Sequence, residues 1–486
     1  MSEYKHGAYG NVNTAGNREA AQGRNGFVYV GTAPVHTTAG GAARVNAPVT
    51  CANMAEAKRL LGYSDDWAAY TLCEAMHAHF ESGVGPLVFI NVLDPVAHKA
   101  TAGGTATITP ANGRAVILSA DKAIIDSVEV DGKELGADYT LQYDGARGAM
   151  ILTEAKPGAL GVAALDITWD EVDPSKVTNA DVIGATDGAG LNTGLYAIKN
   201  VYQESGLFPS FLLAPGFSSV KAVHDVMALE SLNINGHWDA YMLCDLPIQD
   251  QATAVTLDTA EMWKRTNGYK NENETVYFPM AKGQDGHIYH ISVLAAANLQ
   301  KLLIAQDGFP YKTASNTECP VIENLYLGEG ALGRVYDDTL INDKLNRYGI
   351  ASAAFVGGRW AIWGSSSADW EHGSEGGVGL FETNRMMLYH ISNEFQHRRA
   401  RNVDKPMTMN DIKMICAEEQ ARLDSLVKTG ALTYATVRVN ADEIAKSDMV
   451  QGDYSFTFEV TVTPLAKSLT AVVSWTDKGY TTAYIG

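Results

Sequence analysis

From about residue 98 to residue 172 the chain changes its period, and that change limits what it can fold into. Upstream, "GFVYVGTAPV" (26–35) reads as a buried strand running into a Pro turn. "WAAYTLCEAMHAHFESG" (67–83) has helical spacing through Tyr70, Cys73, Met76, His77 and Phe80 and stops at Gly83. "GPLVFINVLDP" (85–95) is a second apolar strand ended by Pro95, so strand, helix and strand predict a βαβ unit. Then come short alternating runs, "TATIT", "AVIL", "DSVEV", "YTLQY", "AMILT" and "LDITW", separated by turn signals such as Asp131-Gly132 and Asp144-Gly145. Such spacing belongs to an antiparallel sandwich or barrel. The α/β pattern resumes at "VTNADVIGATDG" and continues through "GLYAIKNVYQES", "PSFLLAPG", "KAVHDVMALESLN", "WDAYMLCDLP" and "GIASAAFVGG". The expected fold is an α/β core with an inserted antiparallel β domain and an α+β C-terminal domain. The boundaries read as an extended Gly-, Asn- and Ala-rich arm over 1–22, the α/β domain over 23–97 and 173–350, and the insert over 98–172. A C-terminal assembly domain over 351–467 and a final arm over 468–486 complete the chain, with 384–430 mainly helical.

The C-terminal stretch "YSFTFEVTVTPLAKSLTAVVSW" (454–475) raises a separate question. Phe456, Phe458, Val460 and Val462 alternate with Thr457, Glu459, Thr461 and Thr463, the period of a strand with one buried face. Leu469, Ala471, Val472, Val473 and Trp475 form a second β-prone run. The connection begins with Pro464 and holds no Gly, Asn or Asp, whereas tight hairpins favour Asn-Gly or Asp-Gly for positive φ. Two readings stay open: a five-residue hairpin within one subunit, or a strand that pairs elsewhere.

Composition narrows the class. Hydrophobic residues are 46% of the 486 and charged residues 19%, which fits a well-buried globular chain of several domains. A formal charge of −19 argues against broad nucleic-acid or anionic-membrane binding. No apolar run reaches the ~20 residues of a membrane helix, and "MSEYKHGAYGNV" lacks the blocks of a signal peptide. Cys51, Cys73, Cys244, Cys319 and Cys416 are scattered and never form CxxC, so they read as reduced, mostly buried thiols of a cytoplasmic protein.

Candidate chemistry is sparse. "LGEGALG" places Gly328, Gly330 and Gly333 as GxGxxG, but that pattern marks a dinucleotide site only after a strand and at a helix start, with an acid ~20 residues on. The following "RVYDDTLINDKLN" has no clean helix start. His77 and His79 point to different faces of a helix, and His287 and His290 in "HIYH" to opposite faces of a strand. "WGSSSADW" offers Ser365, Ser366, Ser367 and Asp369 without a GxSxG elbow or a placed histidine. The expectation is therefore no catalytic residue, no metal and no cofactor.

Several stretches, in order, are similar to the contractile-tail sheath proteins of bacteriophages. They are "YKHGAYGNV", "FVYVGTAPV", "VDPSKVTNADVIGATDGAGLNTGLYAIKNVYQESGLFPSFLLAPGFSS", "LNRYGIASAAFVGGRWAIWGSSS", "NRMMLYHI" and "VDKPMTMNDIKMICAEEQARLDSLVKTGAL". They cover most of the chain outside the insert, which such proteins vary. One element departs: after Trp363-Gly364 the family often carries Arg or Thr, and this chain has Ser365 and Ser366. The resemblance implies hexameric rings stacked into a helical sheath around an inner tail tube, with baseplate and tail terminator as further partners. It implies no direct nucleic-acid contact, no membrane insertion, and assembly in the host bacterial cytoplasm for a phage or tailocin. It also implies that the terminal arms are exchanged, each adding strands to a neighbour's sheet. The residues concerned are Tyr4, Tyr9 and Val12, the strand positions Phe456, Phe458, Val460 and Val462, and Leu469, Ala471 and Val473. Contraction from a metastable extended state would then drive the tube through a cell envelope.

Two rivals from other classes are a nucleotide-binding enzyme using the 328–333 loop and a non-contractile baseplate or surface-layer protein. Residues 384–405 hold five basic residues, Arg385, Arg398, Arg399, Arg401 and Lys405, against Glu394 and Asp404. They read either as a solvated helix face or intramolecular ion pairs, or as part of a surface in which this helix, or the next one from Met409 to Lys428, faces the inner tube.

Overall fold

The parallel strands of this protein are apolar nearly end to end, and such strands are stable only when both faces are covered. The computed structural model describes residues 25–145, 147–250, 253–328, 336–374, 377–439 and 452–478, so Tyr4, Tyr9 and Val12 lie outside the described residues. Two compact units divide the chain, Met1–Lys405 and Pro406–Gly486.

The first unit is built on an eight-stranded sheet. Across it run Arg359–Trp363, Ile350–Val356, Glu274–Tyr277, Tyr241–Asp245, Phe208–Leu213, Asn25–Gly31, Leu87–Asn91 and Pro48–Cys51. The six central strands are parallel and the two outer ones antiparallel to their neighbours. Strands Leu87–Asn91 and Tyr241–Asp245 are buried at every position, as covered parallel strands should be. Helices Thr71–Glu81, Lys221–Glu230 and Ile291–Ala305 supply much of the cover; the last is buried on most of its surface.

Strand order reverses between Asn25–Gly31 and Phe208–Leu213. The crevice beyond their carboxyl ends is where open α/β sheets bind ligands. Here Thr71, at the start of its helix, fills that place. Its N–H donates to Thr32 Oγ1 at 3.0 Å, and the Leu72 N–H donates to Thr32 O at 2.9 Å. A Cβ on Gly31 would come within 2.3 Å of Thr71 Oγ1, so only glycine admits this approach.

The six short strands of the insert form two three-stranded antiparallel sheets. One orders Gly104–Ile108, Leu165–Trp169 and Glu129–Val130; the other orders Arg114–Ile117, Ala149–Glu154 and Tyr139–Asp144. Ile117, Val130, Tyr139, Met150, Leu152 and Ile167 belong to a hydrophobic cluster distinct from that of the large sheet. The two ends of the insert meet: Lys99 bridges Val172, and Asp173 N–H donates to His98 O at 2.8 Å. Two further bonds tie it to the loop after the first strand. His36 Nε2 lies 2.8 Å from Asp121 O, and Gly40 N–H donates to Asp126 Oδ2 at 2.8 Å.

One boundary needs correction. A C-terminal domain beginning at 351 would separate Ile350–Val356 and Arg359–Trp363 from the large sheet, but they complete its edge. Gly357 and Gly358, at φ 61° and 81°, make the tight turn between them. Helix Glu382–Arg399 is likewise in the first unit, and the second compact unit begins at Pro406.

Because the insert's ends are paired and its core is its own, residues 100–171 should be replaceable by Asn-Gly between Lys99 and Val172. The remaining chain is expected to melt cooperatively in calorimetry. The loss should be at least about 3 kcal/mol, from three hydrogen bonds to the rest of the chain at roughly 1 kcal/mol each, Val172 N–H to Lys122 O being the third, with the packing of Ile124 on the large-sheet core added. An insoluble or non-cooperative product would show that the insert is part of the core.

Candidate functional site

Several buried polar groups of the first unit have the residue types of chemistry and the geometry of scaffolding. His224 Nε2 is 2.6 Å from Glu274 Oε2, with Cys244 nearby, and all three are buried. Two ligands of one zinc, each ~2.0–2.3 Å from the ion, sit roughly 3 Å or more apart. The His–Glu separation is that of a hydrogen bond. His79 is 2.6 Å from Tyr29 Oη and 2.6 Å from Gln300 Oε1, and burial lowers its pKa to about 4. His287 stacks on Trp67, and His77 lies edge-on to the same ring. Ser366 and Ser367 hydroxyls donate to the carbonyls of Leu380 and Gly379, pinning their loop. Lys264 Nζ donates to Tyr348 O and Ala368 O, each at 2.6 Å. Gly328 follows Ile322–Tyr326, a strand of a small antiparallel sheet, not of the parallel one. Gly330 and Gly333 lie outside the described residues.

The start of helix Ile291–Ala305 rests on two buried carboxylates. Glu74 accepts from His290 N–H at 2.5 Å and meets His290 Nδ1 at 2.7 Å. Asp245 accepts from the Ser292 N–H at 3.2 Å and from its hydroxyl. Burial alone would lower the His290 pKa; the Glu74 carboxylate outweighs it and raises the imidazole to about 9. Burial raises Asp245 to about 6 against the pull of His290 and Ser292. Both groups hold protons more tightly folded than unfolded, so each loses stabilisation as pH rises, Asp245 through about 6 and His290 from 6.5 through about 9. Stability, and with it the melting temperature, should fall between pH 6.5 and about 9, the His290 contribution being no more than roughly 3.5 kcal/mol at ~1.4 kcal/mol per pKa unit. His290→Gln should flatten that slope in a pH series of thermal melts; an unchanged slope would refute the assignment.

The arginines of the basic stretch are partly committed within the subunit. Arg385 pairs with Glu272 at 2.5 Å, and Arg398 with Glu394 one helical turn back at 3.0 Å. Arg399 is half-buried and Arg401 exposed.

The second unit presents a different geometry. Helix Met409–Lys428 starts with a capping box between Thr408 and Asp411 and buries Ile412, Ile415, Leu423 and Leu426. It packs on an antiparallel pair, Leu432–Arg438 with Thr457–Val462, which places Phe458 opposite Val437 and Val460 opposite Ala435. Phe456 stands just before the second strand. After Val462 the chain leaves the sheet through Pro464. Residues 463–476 form no strand, so the hairpin reading is not what the structure adopts. Leu469, Val472, Val473 and Trp475 are 91%, 89%, 92% and 81% exposed, and Ala471 is exposed with them. So many large apolar side chains exposed together are uncommon on a folded surface.

No family model matches the chain. Among solved structures, the fold is that of sheath components of contractile injection systems. A chain of the anti-feeding prophage baseplate superposes with TM-score 0.55 at 12% identity, over 98% of this chain and 100% of that one. The sheath complex of an extracellular contractile injection system (PVC), in its contracted state, gives 0.55 at 10% identity over 99% of both chains. The contracted helical sheath of the anti-feeding prophage gives 0.54 at 12%, over 97% of this chain and 100% of that one. In sequence, the chain is 26% identical over 488 residues to the tail sheath protein of Burkholderia phage BcepMu, covering 96% of each. The chain is thus similar to a phage tail sheath protein along nearly its whole length, and its fold is like that of the two sheath structures.

Proposed function

We propose that this chain is the structural subunit of a contractile tail sheath. It polymerises around an inner tube and contracts from a metastable extended state to drive the tube through a target envelope. The observation that carries this reading is the whole-length likeness to sheath proteins joined to an exposed, extended apolar segment that its own sheet leaves unpaired. The nucleotide-binding alternative has less behind it, since Gly328 follows the wrong kind of strand.

The physics of the reading is strand addition. A donated segment gains a row of main-chain hydrogen bonds, and alternate side chains set its register. Contacts made by donating to one neighbour and accepting from another are head-to-tail, and they build rings and helices rather than closed dimers. Links of this kind stay joined while subunits rotate between two packings that differ by a few kcal/mol each, summed over the array. Residues 468–486 and the N-terminal arm with Tyr4, Tyr9 and Val12 are the proposed donors. Residues 98–172 are a peripheral module. Baseplate and terminator cap the array, which forms in the host cytoplasm before it becomes part of a tail. Of the basic stretch, Arg385, Arg398, Arg399 and Arg401 are the side chains proposed to face the tube, Arg385 and Arg398 while also paired within the subunit.

Truncation after Lys467 tests the reading. It removes exposed side chains and little core, so the product should melt cooperatively and remain monomeric, with no tubes by negative-stain microscopy. Truncated chains that still build sheaths would refute strand donation. In the same assay, a full-length chain with Arg399→Glu and Arg401→Glu should assemble but lose the tube at low salt, where screening is weakest. Tube retention equal to wild type would remove these residues from the contact.

A further inference from the structure

Where the insert meets the large-sheet domain, one histidine fills the joint. His36 lies in the loop after strand Asn25–Gly31 and is 1% exposed. Its Nε2 is 2.8 Å from the main-chain oxygen of Asp121, which belongs to the insert. A carbonyl oxygen can only accept, so Nε2 carries the hydrogen and Nδ1 keeps the lone pair. Nδ1 is buried with no hydrogen-bond partner among the described residues. A neutral imidazole tolerates this place. An imidazolium does not, because its second N–H would be buried without an acceptor.

The groups around the ring do not remedy this. The Asp121 carboxylate is turned to Tyr143, whose hydroxyl donates to Oδ1 at 2.9 Å. Asp126 accepts from Gly40 N–H at 2.8 Å. Tyr70 tilts against the imidazole, ring centroids 5.7 Å apart, and Asp66 acts on that phenol from the far side. Arg44 donates to Thr38 Oγ1 and Leu60 O. Burial therefore lowers the His36 pKa to about 4, against the hydrogen bond and the charge of Asp121. At the neck of the insert stands one more histidine. His98 Nδ1 accepts from Asp94 N–H at 2.9 Å, and its Nε2 is 3.6 Å from Asp181 Oδ2.

We propose that His36 is a proton-sensitive latch that docks the insert at neutral pH and releases it in mild acid. The main-chain pairing of Lys99 with Val172 and of Asp173 with His98 does not titrate, so the released module stays tethered. The direction follows from the two protonation states. A freed imidazole takes up its proton near 6.5 and the docked one only near 4, so acid favours release. Between pH 7.5 and pH 5 the docking constant should fall roughly thirty-fold.

The test reads distances within one copy of the full chain by double electron–electron resonance. Spin labels on unnatural residues replace Ala55, exposed on helix Met54–Leu61, and Ala111, exposed in the insert, and the labelled chain is diluted into unlabelled chain. At pH 7.5 one narrow distribution is expected, and a second, broad population should grow from pH 6.5 to pH 4.5. Far-UV circular dichroism should stay unchanged over that range; its loss in step with the broad population would mean unfolding and overturn the latch. His36→Gln offers an amide N–H in place of Nε2–H but cannot titrate, so it should stay narrow throughout. Asp126→Asn should keep the acid response, and its loss there would assign the switch to that carboxylate instead. A wild-type distribution that stays narrow to pH 4.5 would overturn the proposal, as would an acid response that survives in His36→Gln, which still carries His98. Should His36→Gln fail to fold, the wild-type and Asp126→Asn curves decide, and a first loosening confined below pH 4 would refute the latch.

Discussion

A main-chain N–H or C=O at the edge of a sheet must find a partner, and the second unit of this protein depends on how that demand is met. Two strands alone are marginal in water. Here helix Met409–Lys428 packs on the pair, and its Gln420 donates to Ala435 O and accepts from Val437 N–H at one edge. The same chain carries, seven residues beyond the end of Thr457–Val462, an apolar run that forms no strand among the described residues. Leaving both in water costs the apolar surface of Leu469, Val472, Val473 and Trp475, each worth ~1.5–3 kcal/mol when fully buried. Joining them between copies removes both costs at once.

The first unit meets the same demand internally. At the edge strand Arg359–Trp363, the chain segment 316–319 supplies the missing bonds: Cys319 N–H donates to Trp360 O at 2.9 Å, and Asn316 N–H to Ile362 O at 2.6 Å. At the opposite edge Pro48 begins the outer strand, a residue that offers no N–H to a newcomer. The buried charged groups are likewise spent on the fold. Lys264 fixes two loops, Glu382 accepts from Thr275 and Thr313, and Glu74 and Asp245 hold the start of a helix. The result is a scaffold whose polar interior resists deformation.

Features set by local period were legible in the sequence. The βαβ start, the six short strands from 104 to 169, and the lack of a turn after Val462 all follow from spacing and from Pro464. What stayed hidden depends on partners far along the chain. The alanine-rich strand at 350–356 gave no sign that it would pair with residues 276–277 rather than open a new domain. Arg385 finds Glu272 across more than a hundred residues, which no helical spacing anticipates. Gln420 looks like any exposed helix residue until the strand at 435–437 is laid beside it.

Hydrogen exchange measured on residues 468–476 in monomer and in assembled tubes tests the central claim most directly. The account predicts fast exchange of these amides in the monomer, where they form no strand among the described residues, and strong protection in the tube. Protection already present in the monomer, or exchange that stays fast after assembly, would contradict it.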